Sequence, residues 1–262
     1  SIRRVLQMLA NPFHPELFRN KTVVVTGAGN GIGLSALQLF SACGANIIAH
    51  LGRNDDYTKN VPANVQSFVG DLLDRGQQDA FCSFVQTHLP AQSKSVDVLV
   101  NNAGTMFGRF PADTISDDEY LNIVELNQSA VVRITRALIP LLKQAEHGSI
   151  INTVSISAST GGSPGSSIYS AAKAFVATYT KALARELAPA GIRANAVSPG
   201  VIETDFHQRY STKEKLDKTR ALIPLQRLGT PLDCAPAYLF LGSDTLSGYI
   251  TGQTIEINGG LF

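Results

Sequence analysis

Tyr169 and Lys173 stand four residues apart in SIYSAAKAF, and Ser155 precedes the tyrosine by fourteen residues at the end of the apolar run SIINTVS. Residues at i and i+4 of a helix share a face, about 5–6 Å apart at their Cβ atoms. A phenol titrates near pH ~10 and gives up its proton reluctantly. An ammonium beside it favours the phenolate and draws that value toward the working range. A nearby serine hydroxyl can hydrogen-bond an oxygen on which negative charge grows. The chemistry this set could do is proton transfer at a carbonyl or alcohol oxygen. A lone Y-x-x-x-K also decorates many helix surfaces, so its company decides.

That company lies near the N-terminus, in TVVVTGAGNGIG, where a β-branched run breaks into Gly27, Gly31 and Gly33. Val23 to Val25 read as a buried strand, and the apolar residues from Ile32 to Phe40 continue at helical spacing. Glycines at such a join let the backbone approach a pyrophosphate, whose charge the helix N-terminus favours. The spacing is G-x-x-x-G-x-G rather than the commoner G-x-G-x-x-G, and alone it would also suit an ordinary tight strand–helix connection. Joined to the tyrosine and lysine, it points to a dinucleotide-dependent carbonyl/alcohol oxidoreductase.

From about Lys21 to Gly260 the chain resembles the short-chain dehydrogenases/reductases, in particular members like the 3-oxoacyl-carrier-protein reductases. The motifs run in order: TGAGNGIG at 26–33, Asp71 in VGDLL, NNAG at 101–104, Asn127 in ELNQS, Ser155, Tyr169-x-x-x-Lys173 and SPGVIET at 198–204. The tail TGQTIEINGG is similar to the family's last strand. The resemblance implies that Tyr169 is the catalytic acid/base and that Lys173 lowers its pKa and holds the nicotinamide ribose. It implies that Ser155 positions the substrate oxygen and that Asn127 kinks its helix to hold a water linked to Lys173. Asn127 taken alone would more often be an exposed or capping residue. Ser157 is the alternative to Ser155, because the family's usual Ser-to-Tyr spacing is one residue shorter.

For the cofactor, the resemblance implies contacts from Gly27, Asn30, Gly31, Ile32 and Gly33 in the turn. Asp71 and Leu72 would meet the adenine, although an Asp after a strand is also a common helix N-cap. Asn102, Ala103 and Gly104 would line the cofactor, with Asn101 bracing neighbouring strands. Pro199, Gly200, Ile202 and Thr204 would reach the carboxamide and pyrophosphate. Cofactor choice depends on the end of the second strand, NIIAHLGRND, where relatives that bind NAD carry an Asp. Here Leu51 takes that place and Arg53 follows, able to pair with a 2′-phosphate. Asn30, where phosphate-binding members often carry a basic residue, and the nearby Asp55 and Asp56 argue the other way. The expectation is NADP(H) preferred, with NAD(H) possible.

These residues need a scaffold, and the apolar runs supply one. Strands are expected at 22–26, 46–51, 65–69, 97–100, 149–153, 192–198 and 254–257, with helices at about 31–43, 75–88, 119–145, 168–188 and 231–242. Alternating strands and helices argue a single Rossmann-like, doubly wound parallel sheet of about seven strands, covered on both faces. Residues 1–20 are read as an N-terminal extension and 21–262 as the dinucleotide-binding and catalytic domain. In that extension Ile2, Val5, Leu6 and Leu9 fall on one helical face, which suggests a short helix packed back on the domain. Hydrophobic residues make up 44% of the 262-residue chain, enough for a sizeable core. The net charge of +1 gives no electrostatic case for nucleic acid. No apolar run reaches the ~18 residues of a membrane span. The three cysteines, Cys43, Cys82 and Cys234, match no metal or disulfide pattern; they fit a reducing, cytoplasmic setting, and cysteine as a small core residue explains them equally well.

The expected partner is a small carbonyl or alcohol substrate, and the most probable activity a ketone or 3-oxoacyl reductase. A sugar/polyol dehydrogenase and a non-catalytic NAD(P)-binding protein are the alternatives. Small and apolar residues on more than one face of the 119–145 and 168–188 helices suggest a homodimer or homotetramer. The segment 205–222 carries five basic and three acidic residues. It reads either as a lid attracting a phosphate-bearing carrier or as a solvated amphipathic helix.

Overall fold

Thr22–Val25 forms β1, and all four of its residues are buried, as a strand covered on both faces requires. In the computed structural model, which describes residues 15–204, 210 and 212–261, β1 lies between β2 (Asn46–His50) and β4 (Val98–Asn101). The remaining strands are β3 (Gln66–Phe68), β5 (Ser149–Thr153), β6 (Arg193–Pro199) and β7 (Thr254–Ile257). The seven form one sheet in the order β3-β2-β1-β4-β5-β6-β7, and each pairing is parallel. The order reverses between β1 and β4. Helices leaving those two strands go to opposite faces and leave a crevice at the strands' carboxyl ends.

Successive strand residues point to opposite faces, and the core divides accordingly. Val23, Val25, Ile47 and Ala49 pack with Ala36, Leu37 and Phe40 of α1 (Gly31–Ala42). Cys234, Tyr238 and Leu241 of α8 (Pro231–Gly242) complete that layer. Val24, Ile48 and Leu99 face the other way, onto α2 (Arg75–Thr87), α4 (Ala130–Leu142) and α6 (Ser167–Leu187). The remaining helices are α3 (Asp117–Val124), α5 (Ser157–Thr160), α7 (Lys213–Leu222) and α9 (Asp244–Ser247). Among the described residues no helix is long and apolar enough to cross a membrane.

Two features refine the element ranges read from the sequence. The helix expected at 119–145 is interrupted where the family resemblance implied a kink at Asn127: α3 runs into a π-turn at Glu125–Ser129 before α4 begins. Apolar spacing continues through the bulge, so periodicity alone does not reveal it. The core also begins before residue 20. Phe18 is buried, meets Phe40 edge-on at 4.8 Å, and its backbone N–H donates to the Cys43 carbonyl at 2.9 Å. The helix expected around Ile2 to Leu9 lies outside the described residues.

Candidate active site

At the carboxyl ends of the central strands lies a cleft of about 610 Å³. Its first wall is the turn between β1 and α1. Gly27 has φ +65°, and a Cβ there would come within 2.7 Å of the Ala103 Cα, so only glycine lets the two loops touch. Thr26 ties them together. Its Oγ1 accepts from the backbone N–H groups of Asn102 (3.0 Å) and Ala103 (3.1 Å), and Asn102 Nδ2 donates to the Gly27 carbonyl at 3.0 Å. α1 starts at Gly31 with no acidic residue in its first turn, and Asn30, Gly31 and Ile32 line the cleft. The unpartnered N–H groups of a helix's first turn suit a phosphate. Gly33 does not line the cleft; it packs inside, against Gly27 and Asn102.

The second wall is the end of β2. Leu51 is buried, while Gly52, Arg53 and Asn54 turn into the cleft. Arg53 Nη1 lies 3.4 Å from Asp71 Oδ2, with its side chain 71% exposed. Asp71 does not cap the following helix. Asp74 does, accepting from the Gln77 N–H at 2.9 Å, which leaves Asp71 on the wall beside Leu72. Asn30 Nδ2 donates to the Tyr57 hydroxyl at 3.0 Å, linking the glycine turn to this wall.

His50 belongs to the site and was not singled out from the sequence. Its Nδ1 accepts from the Gly27 N–H at 3.2 Å and its Nε2 lies 2.9 Å from the Gly70 carbonyl. These two partners require the neutral ring with its proton on Nε2. Burial lowers its pKa, with the Gly70 hydrogen bond and the Asp71 charge acting the other way. The one available signal was a polar residue closing an apolar strand.

Tyr169 and Lys173 lie on successive turns of α6, both on the cleft. The Ser155 hydroxyl accepts from Ser157 Oγ (2.9 Å) and from the Ser157 N–H (3.2 Å). Its own proton is thus directed to Tyr169, with which it is hydrogen-bonded. Of the two candidate serines, Ser155 is the one that meets the tyrosine. Lys173 Nζ donates to the Thr153 carbonyl at 2.9 Å and sits 5.8 Å from the Tyr169 ring centroid.

Asn127 is fully buried in the π-turn, where its Nδ2 donates to the carbonyls of Thr105 (2.7 Å) and Ile123 (2.9 Å). The Ile123 bond occupies a carbonyl of the turn before it, and a single widened turn of this kind is a common functional device. Among the described residues Asn127 Oδ1 has no hydrogen-bond partner. It converges with Lys173 Nζ on Gly104, where a Cβ would fall 2.7 Å from Oδ1 and 3.0 Å from Nζ. Beneath the site, Asn101 Nδ2 donates to Asn152 Oδ1 and Thr135 Oγ1, both at 2.9 Å, bracing β4 against β5. Pro199, Gly200, Ile202 and Thr204 close the remaining wall after β6.

One expectation fails on electrostatics. The Tyr169 phenol is not drawn toward neutrality by Lys173: burial pushes it up to about 12, and only the Ser155 hydrogen bond acts against that. Burial also lowers Lys173 to about 8. Desolvation dominates both shifts because taking either charge out of water is costly. The arrangement can keep a phenol protonated beside a serine hydroxyl. Its glycine turn, elongated cleft and orphaned Asn127 oxygen fit a nicotinamide dinucleotide.

Comparison with known proteins agrees with this geometry. Residues 27–262 match the family model described as enoyl-(acyl carrier protein) reductase. The chain is 34% identical over 250 residues to the 3-oxoacyl-(acyl-carrier-protein) reductase FabG of Chlamydia muridarum, covering 94% of this chain and 98% of that protein. A short-chain dehydrogenase/reductase of Brucella melitensis, titled glucose/ribitol dehydrogenase, superposes with a TM-score of 0.84 at 30% identity, covering 94% of this chain and 98% of that one. A 3-ketoacyl-(acyl-carrier-protein) reductase from the same organism, complexed with NADH, gives 0.83 at 31% identity over 93% and 98%. The chain belongs to the short-chain dehydrogenase/reductase family of oxidoreductases.

Proposed function

We propose that the chain reduces ketones or 3-oxoacyl compounds and prefers NADP(H) to NAD(H). The observation that carries this reading is the Tyr169–Ser155 hydroxyl pair in one cleft with Lys173, backed by the buried Asn127. A nicotinamide cofactor, when bound, would supply the hydride. When substrate enters, the Ser155 proton turns from Tyr169 to the carbonyl oxygen, and the two hydroxyls hold that oxygen as negative charge develops on it. The phenol, kept protonated by burial, then gives its proton to that oxygen. Lys173 orients the nicotinamide ribose, and Asn127 Oδ1 with Lys173 forms the start of a route for replacing the phenol's proton.

The phosphate-bearing cofactor is favoured by Arg53 on the cleft wall and by the buried Leu51 in place of a carboxylate. Against it stand the nearby Asp71 and the NADH carried by the Brucella reductase. A sugar or polyol dehydrogenase is the second reading, supported by the name of the other Brucella relative. Incubating the purified chain with NADPH or NADH and a panel of 3-oxoesters, ketones and sugars, and following loss of reduced-nicotinamide absorbance, separates these readings. No oxidation of either cofactor with any carbonyl would sink the proposal.

We place the enzyme in the cytoplasm as a homodimer or homotetramer. Tyr120 and Leu121 on α3 are 42% and 56% exposed, and Phe175 on α6 is 40% exposed and stacked on Tyr179. A second copy would cover this apolar surface. Light scattering at micromolar concentration should give a multiple of the chain mass; a monomer mass would exclude the assembly.

A further inference from the structure

One cation stands at this cleft with no carboxylate paired to it among the described residues. Arg109, in the loop joining β4 to α3, is half-buried and lines the same cleft as Tyr169 and Ser155. Its Nε donates to the Tyr210 carbonyl at 2.9 Å and its Nη1 to the Pro164 carbonyl at 3.3 Å. The Phe110 N–H bond to the Gly165 carbonyl, 2.9 Å, fixes the loop against the segment that leads into α6. The guanidinium is therefore held by neutral carbonyls, and among the described residues it makes no ion pair. Two carbonyls use only part of its five N–H donors.

Lys215, in the first turn of α7, is near enough to feel this charge. Burial lowers its pKa, and the Arg109 charge lowers it further. Two other cations of α7 are already answered: Lys218 pairs with Glu214 at 2.7 Å and Arg220 with Asp217 at 3.1 Å. Among the described residues Lys215 has no such partner. Besides Arg109, the cations lining the cleft are engaged: Arg53 stands against Asp71 and Lys173 is bonded to Thr153. Arg109 is thus a half-buried cation on the cleft with no ionic partner among the described residues and with donors to spare, an arrangement that an entering anion would satisfy.

We propose that Arg109, with Lys215 beside it, is an anion-recognition subsite, so that the preferred carbonyl substrate bears a carboxylate or phosphate group. This rests on reading the cleft as a carbonyl reductase site. A fork of N–H donors matches either group, and at a desolvated position such a contact governs substrate affinity more than the chemical step. The anion belongs to the substrate itself or to a phosphate-bearing carrier on which the acyl group rides.

The test uses the whole chain with saturating cofactor and paired substrates: acetoacetate with methyl acetoacetate, dihydroxyacetone phosphate with dihydroxyacetone, and acetoacetyl-CoA with the phosphate-free N-acetylcysteamine thioester. In at least one pair the wild type should favour the anionic member by about tenfold or more in kcat/KM, the worth of one charge-assisted hydrogen bond. The preference should lie in KM. It should fall toward one in Arg109→Gln, fall less in Lys215→Gln, and be partly restored in Arg109→Lys. Preference for a free acid or sugar phosphate marks the substrate's own anion; preference confined to the CoA thioester marks the carrier's phosphate. Preference for the neutral members, or a ratio unchanged in Arg109→Gln, overturns the subsite and leaves the reductase reading standing. A rise in the KM of NADPH instead of the substrate's also overturns it. Should no pair turn over, saturation-transfer NMR of the same compounds decides the subsite. Binding of anionic members that is lost in Arg109→Gln supports it, and no binding by the wild type rejects it.

Discussion

Replacing Lys173 by Met should change the protein's stability in opposite directions at the two ends of the alkaline range. Lys173 is 3% exposed and its ammonium has one hydrogen-bond acceptor, the Thr153 carbonyl. Burial takes its pKa from 10.5 to about 8. At ~1.4 kcal/mol per pH unit, that fall is worth about 3 kcal/mol. The folded pKa is the lower one, so below about pH 8 both states hold the proton and the folded state bears the full cost of the buried charge. Between about 8 and 10.5 the folded protein sheds the proton while the unfolded chain keeps it, and stability rises. Met matches the lysine stem and removes the charge, at the loss of a charge-assisted hydrogen bond worth about 1.5–3 kcal/mol. Near neutrality the variant should therefore equal the wild type or exceed it by up to about 1–2 kcal/mol, and above pH ~10.5 it should be the less stable. Buried cysteines and tyrosines also titrate in this range, but they are common to both proteins and cancel in the difference. The chain has no tryptophan, so urea unfolding of the cofactor-free proteins should be followed by circular dichroism. A difference in stability that stays flat from pH 7 to 10.5 would refute the claim that Lys173 is a costly buried cation.

Arg53→Ala should weaken NADPH binding by up to about tenfold and leave NADH nearly unchanged in fluorescence titrations, because only the former presents a phosphate to the guanidinium; the exposure of Arg53 keeps the effect modest. Equal losses for both cofactors would remove the basis for an NADP(H) preference. His50 has a pKa lowered by burial, so its contribution to stability is complete above about pH 6.5 and is lost as pH falls below it. Protonation would also force Nδ1 to stop accepting from the Gly27 N–H. His50→Leu should cost about 1–3 kcal/mol at neutral pH, by stranding the Gly27 and Gly70 groups. It should also flatten the decline between about pH 6.5 and 5; an undiminished decline in urea midpoints would assign it to other residues.

The parts of this site that could be read from the sequence are those governed by local rules. Val23 to Val25 announce a strand because both faces of it are covered, and Gly27 marks a turn that only a positive φ allows. Tyr169 and Lys173 share a face because a helix repeats every 3.6 residues. What escaped depends on several elements at once. The π-turn leaves the apolar rhythm of α3 and α4 intact, so nothing in ELNQS shows that Asn127 reaches the carbonyls of Thr105 and Ile123. His50 binds Gly27 and Gly70, which lie 23 and 20 residues away. Phe18 joins the core only because Phe40 and Cys43 come up beside it. The electrostatics of the Tyr169–Lys173 pair went the other way from expectation because spacing reports proximity and says nothing of how much water burial removes.

The central claim is that the Tyr169 hydroxyl delivers the proton, and Tyr169→Phe tests it most directly, since it removes one oxygen and keeps the ring. Steady-state reduction of a substrate found in the carbonyl panel should be measured beside the dissociation constant of the reduced cofactor. The account predicts turnover lower by about 10²-fold or more with cofactor affinity little changed. Wild-type turnover in the Tyr169→Phe protein would contradict it.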